Sequence, residues 1–489
     1  MKPWTLRAGA LALVSILGSP TLSLAQERRR EVGGQPDLGA TPETSGKPAA
    51  PQSPAQGAPS IASSLGPAGD PGRVRAALEA RGIVTSFTYI GEVLGNPTGG
   101  QRQGAVYAGR LDGQLDVDLD KLAGLPGLQL HSNFYQIHGR GLSRDNLGNL
   151  LVASGIEALP STRLYELWVE QRLLEGRVAL RAGQLAADTE FLVSQYATLF
   201  VNSTYGWPAI TAANLPSGGP AYPLATPGAR LRVAPSDNLT LLAAVFNGDP
   251  AGATPGPLDP VVDPQRRNRS GTDFRLSDPP LVISEAALTY GLGAGEAALP
   301  GSLKLGGWHH FGRFSDQRFG PDRLSLADPS SAAVAGRLRG NDGVYAVLDQ
   351  SIYRVPGSTD RGVGTFVRVS GSPADRNLIS FYADGGLTFK GLLPGREDDT
   401  FGLGFGYARI SRDAVGLDQR LFTGIASPVR SSEAQIEVTY QAQIVPGWTL
   451  QPDFQYVFRP GGNVANPREP NGAVARNAAI FGLRSAIRY

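Results

Sequence analysis

Residues 105–120 read AVYAGRLDGQLDVDLD. Ala105, Tyr107, Gly109, Leu111, Gly113, Leu115, Val117 and Leu119 fall on one side of an extended chain. Val106, Ala108, Arg110, Asp112, Gln114, Asp116, Asp118 and Asp120 fall on the other. Successive side chains of a strand point to opposite faces, so this period of two predicts a strand with one apolar and one strongly polar face. Such a strand belongs at a boundary between an apolar medium and water.

The pattern returns near the end of the chain. Ala434, Ile436, Val438, Tyr440, Ala442 and Ile444 oppose Glu433, Gln435, Glu437, Thr439, Gln441 and Gln443. In the next segment Leu450, Pro452, Phe454, Tyr456 and Phe458 oppose Gln451, Asp453 and Gln455, where the missing proline N–H predicts a bulge or a strand end. Sixteen segments of this kind start near residues 83, 104, 128, 162, 177, 228, 239, 281, 302, 343, 362, 377, 400, 431, 448 and 476. An even number, with roughly 25 residues for each strand and its connection, suits a transmembrane antiparallel up-and-down β-barrel.

Connection lengths supply a second test, because such barrels carry short turns at one end and long loops at the other. Leu125-Pro126-Gly127, Glu175-Gly176, Pro235 to Asn238, Val355-Pro356-Gly357, Leu393-Pro394-Gly395 and Val445-Pro446-Gly447 follow every second strand. Between them lie the long stretches 139–161, 188–226, 248–280 and 315–341. A soluble β-sandwich or β-helix also has many short strands, but it does not require alternate connections to be short. Nor does it require a last strand with Phe481, Leu483, Ile487 and the terminal Tyr489 on one face.

The amino-terminal end reads as an export signal over residues 1–25, with Lys2 and Arg7 ahead of the apolar run Ala8 to Leu17 and a small-residue cleavage site at Ser23-Leu24-Ala25. That run is too short for a membrane helix, and no longer apolar stretch occurs elsewhere. A barrel and a periplasmic soluble protein remain, since only helices and closed barrels satisfy every backbone group in lipid. Residues 26–81 are rich in Pro, Gly and Ala and poor in core-forming residues, which predicts a flexible periplasmic segment with a short helix at Arg73 to Ala80. Arg28-Arg29-Arg30 within it reads as a solvated charge run or a partner contact. Residues 82–489 form the barrel domain.

With 45 basic and 43 acidic residues and no cysteine, the chain offers neither the basic surface of a nucleic-acid binder nor a thiolate or disulfide site. A barrel of this size holds water, so inward side chains choose the solute. Neutral, hydroxyl-rich sugars call for charged hydrogen-bonding groups beside aromatic surfaces. Thr162 to Leu174 offers that pairing: Glu166, Trp168, Glu170 and Arg172 are expected in the lumen, and Tyr165, Leu167, Val169 and Leu173 against lipid. An interface-belt tryptophan is the competing reading of Trp168. Arg177 and Arg181 share one phase and Arg230 and Arg232 another, which in neighbouring strands would form an arginine ladder, with Asp188 and Glu190 at the loop entrance. The loop 188–226, with Phe191, Tyr196, Phe200, Tyr205, Trp207 and Tyr222, narrows the pore if folded inward, which is the preferred reading, and is a surface contact for a neighbouring subunit or lipopolysaccharide if left outward.

Other signals are weak. Gly402-Leu403-Gly404-Phe405-Gly406 lies in an alternating strand with no following helix, so a phosphate-binding loop is excluded. His309 and His310 point to opposite faces and make poor joint metal ligands. No catalytic spacing stands out, so no enzyme, cofactor or metal is expected.

The segments Leu164 to Gln171, Gly183 to Phe191, Asn202 to Pro208, Tyr222-Pro223, Pro227-Gly228, Asp384 to Leu387 and Gln451 to Tyr456 occur in one order along the chain. In this the sequence resembles the carbohydrate-selective porins of the OprB type over essentially all of residues 82–489. The resemblance implies a sixteen-stranded barrel of the bacterial outer membrane, passive uptake of small sugars, and a constriction of arginine, glutamate and aromatic groups. Carried onto this chain it favours Glu166, Trp168, Arg181, Glu190 and Arg230, with Glu170 and Trp207 as further candidates. Outer-membrane lipid, lipopolysaccharide and a second copy of the chain are the expected partners. The Pro-rich stretch and the terminal Tyr489, in place of phenylalanine, depart from the family pattern. Competing functions are a general or ion-selective porin, an outer-membrane hydrolase and an adhesin.

Overall fold

The computed structural model describes residues 60–253, 263–293, 295, 298–423, 427–469 and 472–489, all in the second of two compact units, Gly46–Tyr489. Its strands are β1 (Ile83–Asn96), β2 (Gly104–Asp118), β3 (Leu128–Gly139), β4 (Ser161–Leu173), β5 (Val178–Leu185), β6 (Thr226–Ser236), β7 (Leu239–Asn247) and β8 (Pro280–Leu292). The second half supplies β9 (Leu299–Ser315), β10 (Arg337–Arg354), β11 (Gly362–Gly371), β12 (Ile379–Lys390), β13 (Thr400–Ile410), β14 (Ser432–Val445), β15 (Trp448–Phe458) and β16 (Ala478–Arg488). Each pairs with its sequence neighbours, and β1 closes on β16, with Tyr89 opposite Ile487. This is the closed sixteen-stranded antiparallel barrel that the alternation predicts. Closure removes the sheet edges that lipid could not satisfy.

Along β2 the polar face points inward, with Asp112 and Asp116 buried and Tyr107 exposed. The strand stops at Asp118, two residues earlier than the alternation suggests. Asp118 accepts hydrogen bonds from the N–H groups of Asp120 and Lys121, at 3.1 and 3.3 Å, and so caps α1 (Leu119–Ala123). Pro452 marks neither a bulge nor an end of β15. The flanking pairs Thr439 with Asp453 and Ala442 with Leu450 keep one register across it.

Part of the segment read as flexible is ordered. Residues Ile61–Gly69 form 3₁₀ turns, and Val74–Glu79 are helical, inside the short helix expected there. The Tyr489 hydroxyl donates to Gly69 O at 2.6 Å, and the Arg75 guanidinium lies 5.5 Å over the Tyr489 ring. Asp70 accepts from the N–H groups of Arg75 and Ala76, and these bonds hold its carboxyl below the usual range. Composition missed this because backbone bonds and one terminal aromatic hold the segment, without an apolar core. The export signal and Arg28-Arg29-Arg30 lie outside the described residues.

Long loops fill the lumen from the end opposite the short turns. Backbone taken out of water needs partners, and inward side chains of the wall supply them. Glu433 on β14 accepts from Leu150 N at 2.8 Å and Leu151 N at 2.7 Å. Glu437 accepts from Val201 N at 2.6 Å and Asn202 N at 3.1 Å. Arg368 on β11 donates to Leu192 O and Thr204 O at 2.9 and 2.8 Å, and Lys304 on β9 to Val193 O at 2.7 Å. The loop 188–226 thus crosses the interior, as expected.

Glycines give it room. A Cβ on Gly402 would lie 2.6 Å from Leu199, and one on Gly404 would lie 2.8 Å from the Phe200 ring. The Gly402-Leu403-Gly404-Phe405-Gly406 run is therefore a docking pad, with Leu403 and Phe405 exposed on the outside.

Candidate functional site

The site lies where β4, β5 and β6 adjoin. Glu170 on β4 is paired with Arg181 on β5, and Arg181 with Arg230 on β6, so three inward side chains form a row across the wall. Like charges directly opposite each other are unfavourable, and the two arginines are stable there because carboxylates join them. Glu170 Oε2 accepts from Arg181 Nη2 at 2.9 Å and Arg230 Nη2 at 2.8 Å. Glu190, brought in by the loop, binds Arg181 Nη1 at 2.6 Å and Arg230 Nε at 2.5 Å. The result is a ring of two guanidinium and two carboxylate groups with no net charge. Arg172 adds a bond to Glu170 Oε1 at 3.0 Å.

Trp168 stands beside this ring. The Arg181 guanidinium lies 3.6 Å from its ring centroid, and His131 of β3 stacks on it at 4.8 Å, held by Asp116 of β2 at 2.8 Å. Cation–π contact of this kind fixes a guanidinium where it would otherwise move. The Trp168 indole N–H is buried with no hydrogen-bond partner among the described residues.

Glu166 points inward as expected, but its Oε1 is used by Ala186 N at 3.1 Å, at the start of the loop. Trp207 is not brought to the ring. Its indole N–H donates to Gly218 O at 2.9 Å, within the loop itself.

Tyr165 corrects the expected phase. Asn133 pairs with Glu166 and Phe134 with Leu164, so Tyr165 is an extra residue in β4 and turns inward with Glu166. Such a bulge shifts every earlier side chain of the strand to the opposite face. The Tyr165 hydroxyl donates to Asp188 Oδ1 at 2.8 Å, and Tyr222 N to Asp188 Oδ2 at 2.9 Å. Burial pushes the Asp188 carboxyl up, and these two bonds draw it back.

Arg177 does not join the ladder, being exposed at a turn near Asp237. Arg232 is buried on the inner face of β6. His131 and Asp116 are absent from the expected set, although His131, Asn133 and Tyr135 form an inward polar run on β3 that the alternation could have flagged. His309 and His310 do face opposite ways, and among the described residues no group of three metal-ligating side chains forms.

The family model for carbohydrate-selective porins of the OprB family matches residues 102–489. The chain belongs to that family. The porin is similar to Porin B of Pseudomonas aeruginosa, with 22% identity over 424 residues, covering 81% of this chain and 87% of the relative. The structure of Pseudomonas putida OprB at high pH is similar with a TM-score of 0.74 at 19% identity, covering 86% of this chain and 97% of the other. Its low-pH structure gives 0.51 at 15% identity over the same shares. Family and fold make this porin an outer-membrane channel for small carbohydrates.

Proposed function

We propose that Glu170, Arg181, Glu190 and Arg230 form the constriction that a sugar passes, with Trp168 holding Arg181 in place and Glu166 fixing the root of the loop. The neutral ring supports this reading. Alternating N–H donors and carboxylate acceptors match a hydroxyl-rich solute, and the four charges of the ring balance one another, with Arg172 and Arg232 beside them. Trp207 is assigned to the loop scaffold.

Purified protein in liposomes is expected to admit small sugars faster than amino acids of similar size. Trp168→Ala is expected to weaken sugar block of single-channel current several-fold. Equal rates for both solute classes overturn the sugar preference, and unchanged block in the variant overturns the placement of the constriction.

Outside the wall, Leu167, Val169, Leu303, Leu305, Leu403 and Phe405 lie in a band of exposed apolar residues that supports contact with outer-membrane lipid and lipopolysaccharide. On β1 to β3 this band is interrupted by Tyr89, Tyr107 and His138, joined by hydrogen bonds. That polar interruption favours a contact with a second copy, which cross-linking from Gln136→Cys would detect.

A further inference from the structure

The outward face of β9 and β10 changes character along its length. Leu303, Leu305 and Phe311 on β9 and Val344 on β10 are exposed apolar side chains. At 3.4 Å per residue and a tilt near 40°, the run from Leu303 to Phe311 rises about 20 Å, close to the height of a barrel's apolar band. The next outward residue is Arg313. It stands directly opposite Arg339, and Arg337 stands opposite Ser315.

All three arginines are exposed, at the end of the barrel that carries the long loops. Two like charges in direct cross-strand register are unfavourable unless an anion joins them. In the lumen Glu170 and Glu190 do this for Arg181 and Arg230. Among the described residues no carboxylate lies within salt-bridge distance of Arg313, Arg337 or Arg339.

The acids nearby are already engaged. Asp342 pairs with His309 at 2.5 Å, Asp375 with Arg376 at 2.9 Å, and Asp316 accepts from Arg318 N and Phe319 N at 2.8 Å each. Arg337 donates to Ser315 Oγ at 3.2 Å and Arg313 O at 3.3 Å, which brings it toward its two neighbours.

We propose that Arg313, Arg337 and Arg339 bind a phosphate of the outer-leaflet glycolipid. Guanidinium forks match phosphate oxygens in pairs, and Phe311, with Leu305, Leu303 and Val344 beyond the His309–Asp342 pair, would take the acyl chains of the same molecule. A soluble anion would have no use for that band. This site rests on the lipid contact proposed above and adds to it a headgroup, a face and three residues.

The test is native mass spectrometry of the full-length barrel with lipid A and with its phosphate-free counterpart. Arg313→Gln/Arg339→Gln is expected to weaken lipid A retention at least tenfold, with heat-modifiable gel migration and sugar flux unchanged. Arg177→Gln, at the opposite end, is expected to retain lipid A fully. Equal retention by the double variant, or equal binding of the phosphate-free lipid to the parent protein, overturns the phosphate site. So does a change in oligomeric mass without lipid, which would assign the arginines to a second copy. Sugar flux in vesicles that lack the glycolipid tests the pore separately.

Discussion

Arg181 and Arg230 face each other across β5 and β6 and both bond the same oxygen, Oε2 of Glu170, at 2.9 and 2.8 Å. Removing one member of a buried ion cluster leaves the others uncompensated, at about 3–5 kcal/mol. Glu170→Gln therefore leaves two guanidinium groups with Glu190 alone and a local excess of positive charge. The expected outcome is a shift of the reversal potential in a KCl gradient toward anion selectivity, with slower sugar flux. An unchanged reversal potential would show that this carboxylate does not set the field in the pore.

The inner wall of β13 makes a different prediction. Gly404 leaves space for Phe200 and Tyr205, whereas Leu403 and Phe405 point outward. Gly404→Val puts a branched side chain where the loop packs, an overpacking worth about 1–3 kcal/mol. The loop is expected to lift from the wall, raising single-channel conductance and weakening sugar block while heat-modifiable migration persists. Leu403→Ala, on the outer face of the same strand, should leave conductance as it is. If the two variants behave alike, the pad does not seat the loop.

Residues such as these show what was legible in the sequence. Period-two alternation is a backbone property, so β2, β14 and β16 could be placed from the order of apolar and polar residues alone. The ring was legible in its wall members, because Glu170, Arg181 and Arg230 each stand in the phase of an otherwise clear strand. Tyr165 was misplaced because a bulge adds one residue without changing composition, and its aromatic ring suits either face. Trp207, as a loop residue, has no phase to read, and only the fold shows that Gly218 O takes its indole N–H. The wall acids Glu433 and Glu437 read as a polar face, but Leu150, Leu151, Val201 and Asn202, whose backbone N–H groups they bind, lie more than two hundred residues away, which no local pattern encodes.

Glu157, in the loop after β3, gives a pH dependence whose sign can be worked out. Burial pushes its carboxyl from 4.5 up to about 7, against the hydrogen bonds from Arg144 N and Ser143 N, and Glu92 and Asp145 push the same way as burial. A folded state that keeps a proton longer than the unfolded chain loses stability as pH rises from about 4.5 to about 7, and is level beyond. The whole span is worth about 3 kcal/mol. Between pH 5 and pH 8 the thermal midpoint of the wild type is expected to fall further than that of Glu157→Gln. Parallel curves for the two proteins would remove Glu157 as the source.

Glu433 anchors the fold of the lumen from the opposite wall. It is fully buried on β14 and accepts from three backbone N–H groups: Leu150 at 2.8 Å, Leu151 at 2.7 Å and Gly461 at 2.6 Å. Glu433→Ala strands all three donors away from water, at about 1–3 kcal/mol for each group left unpaired. Because the wall ladder of β14 is backbone to backbone, the barrel should stay closed while the loop is released. Hydrogen exchange read by mass spectrometry is expected to quicken in peptides holding Leu150 and Gly461, and to stay slow in β13 and β15. Glu433→Gln keeps one acceptor oxygen and should fall between the two. Glu437→Ala should quicken the peptide around Val201 and leave Leu150 protected, because its two N–H partners lie in the other loop. Equal exchange at Leu150 in Glu433→Ala and the wild type would mean that packing alone, without this carboxylate, holds the loop in the lumen.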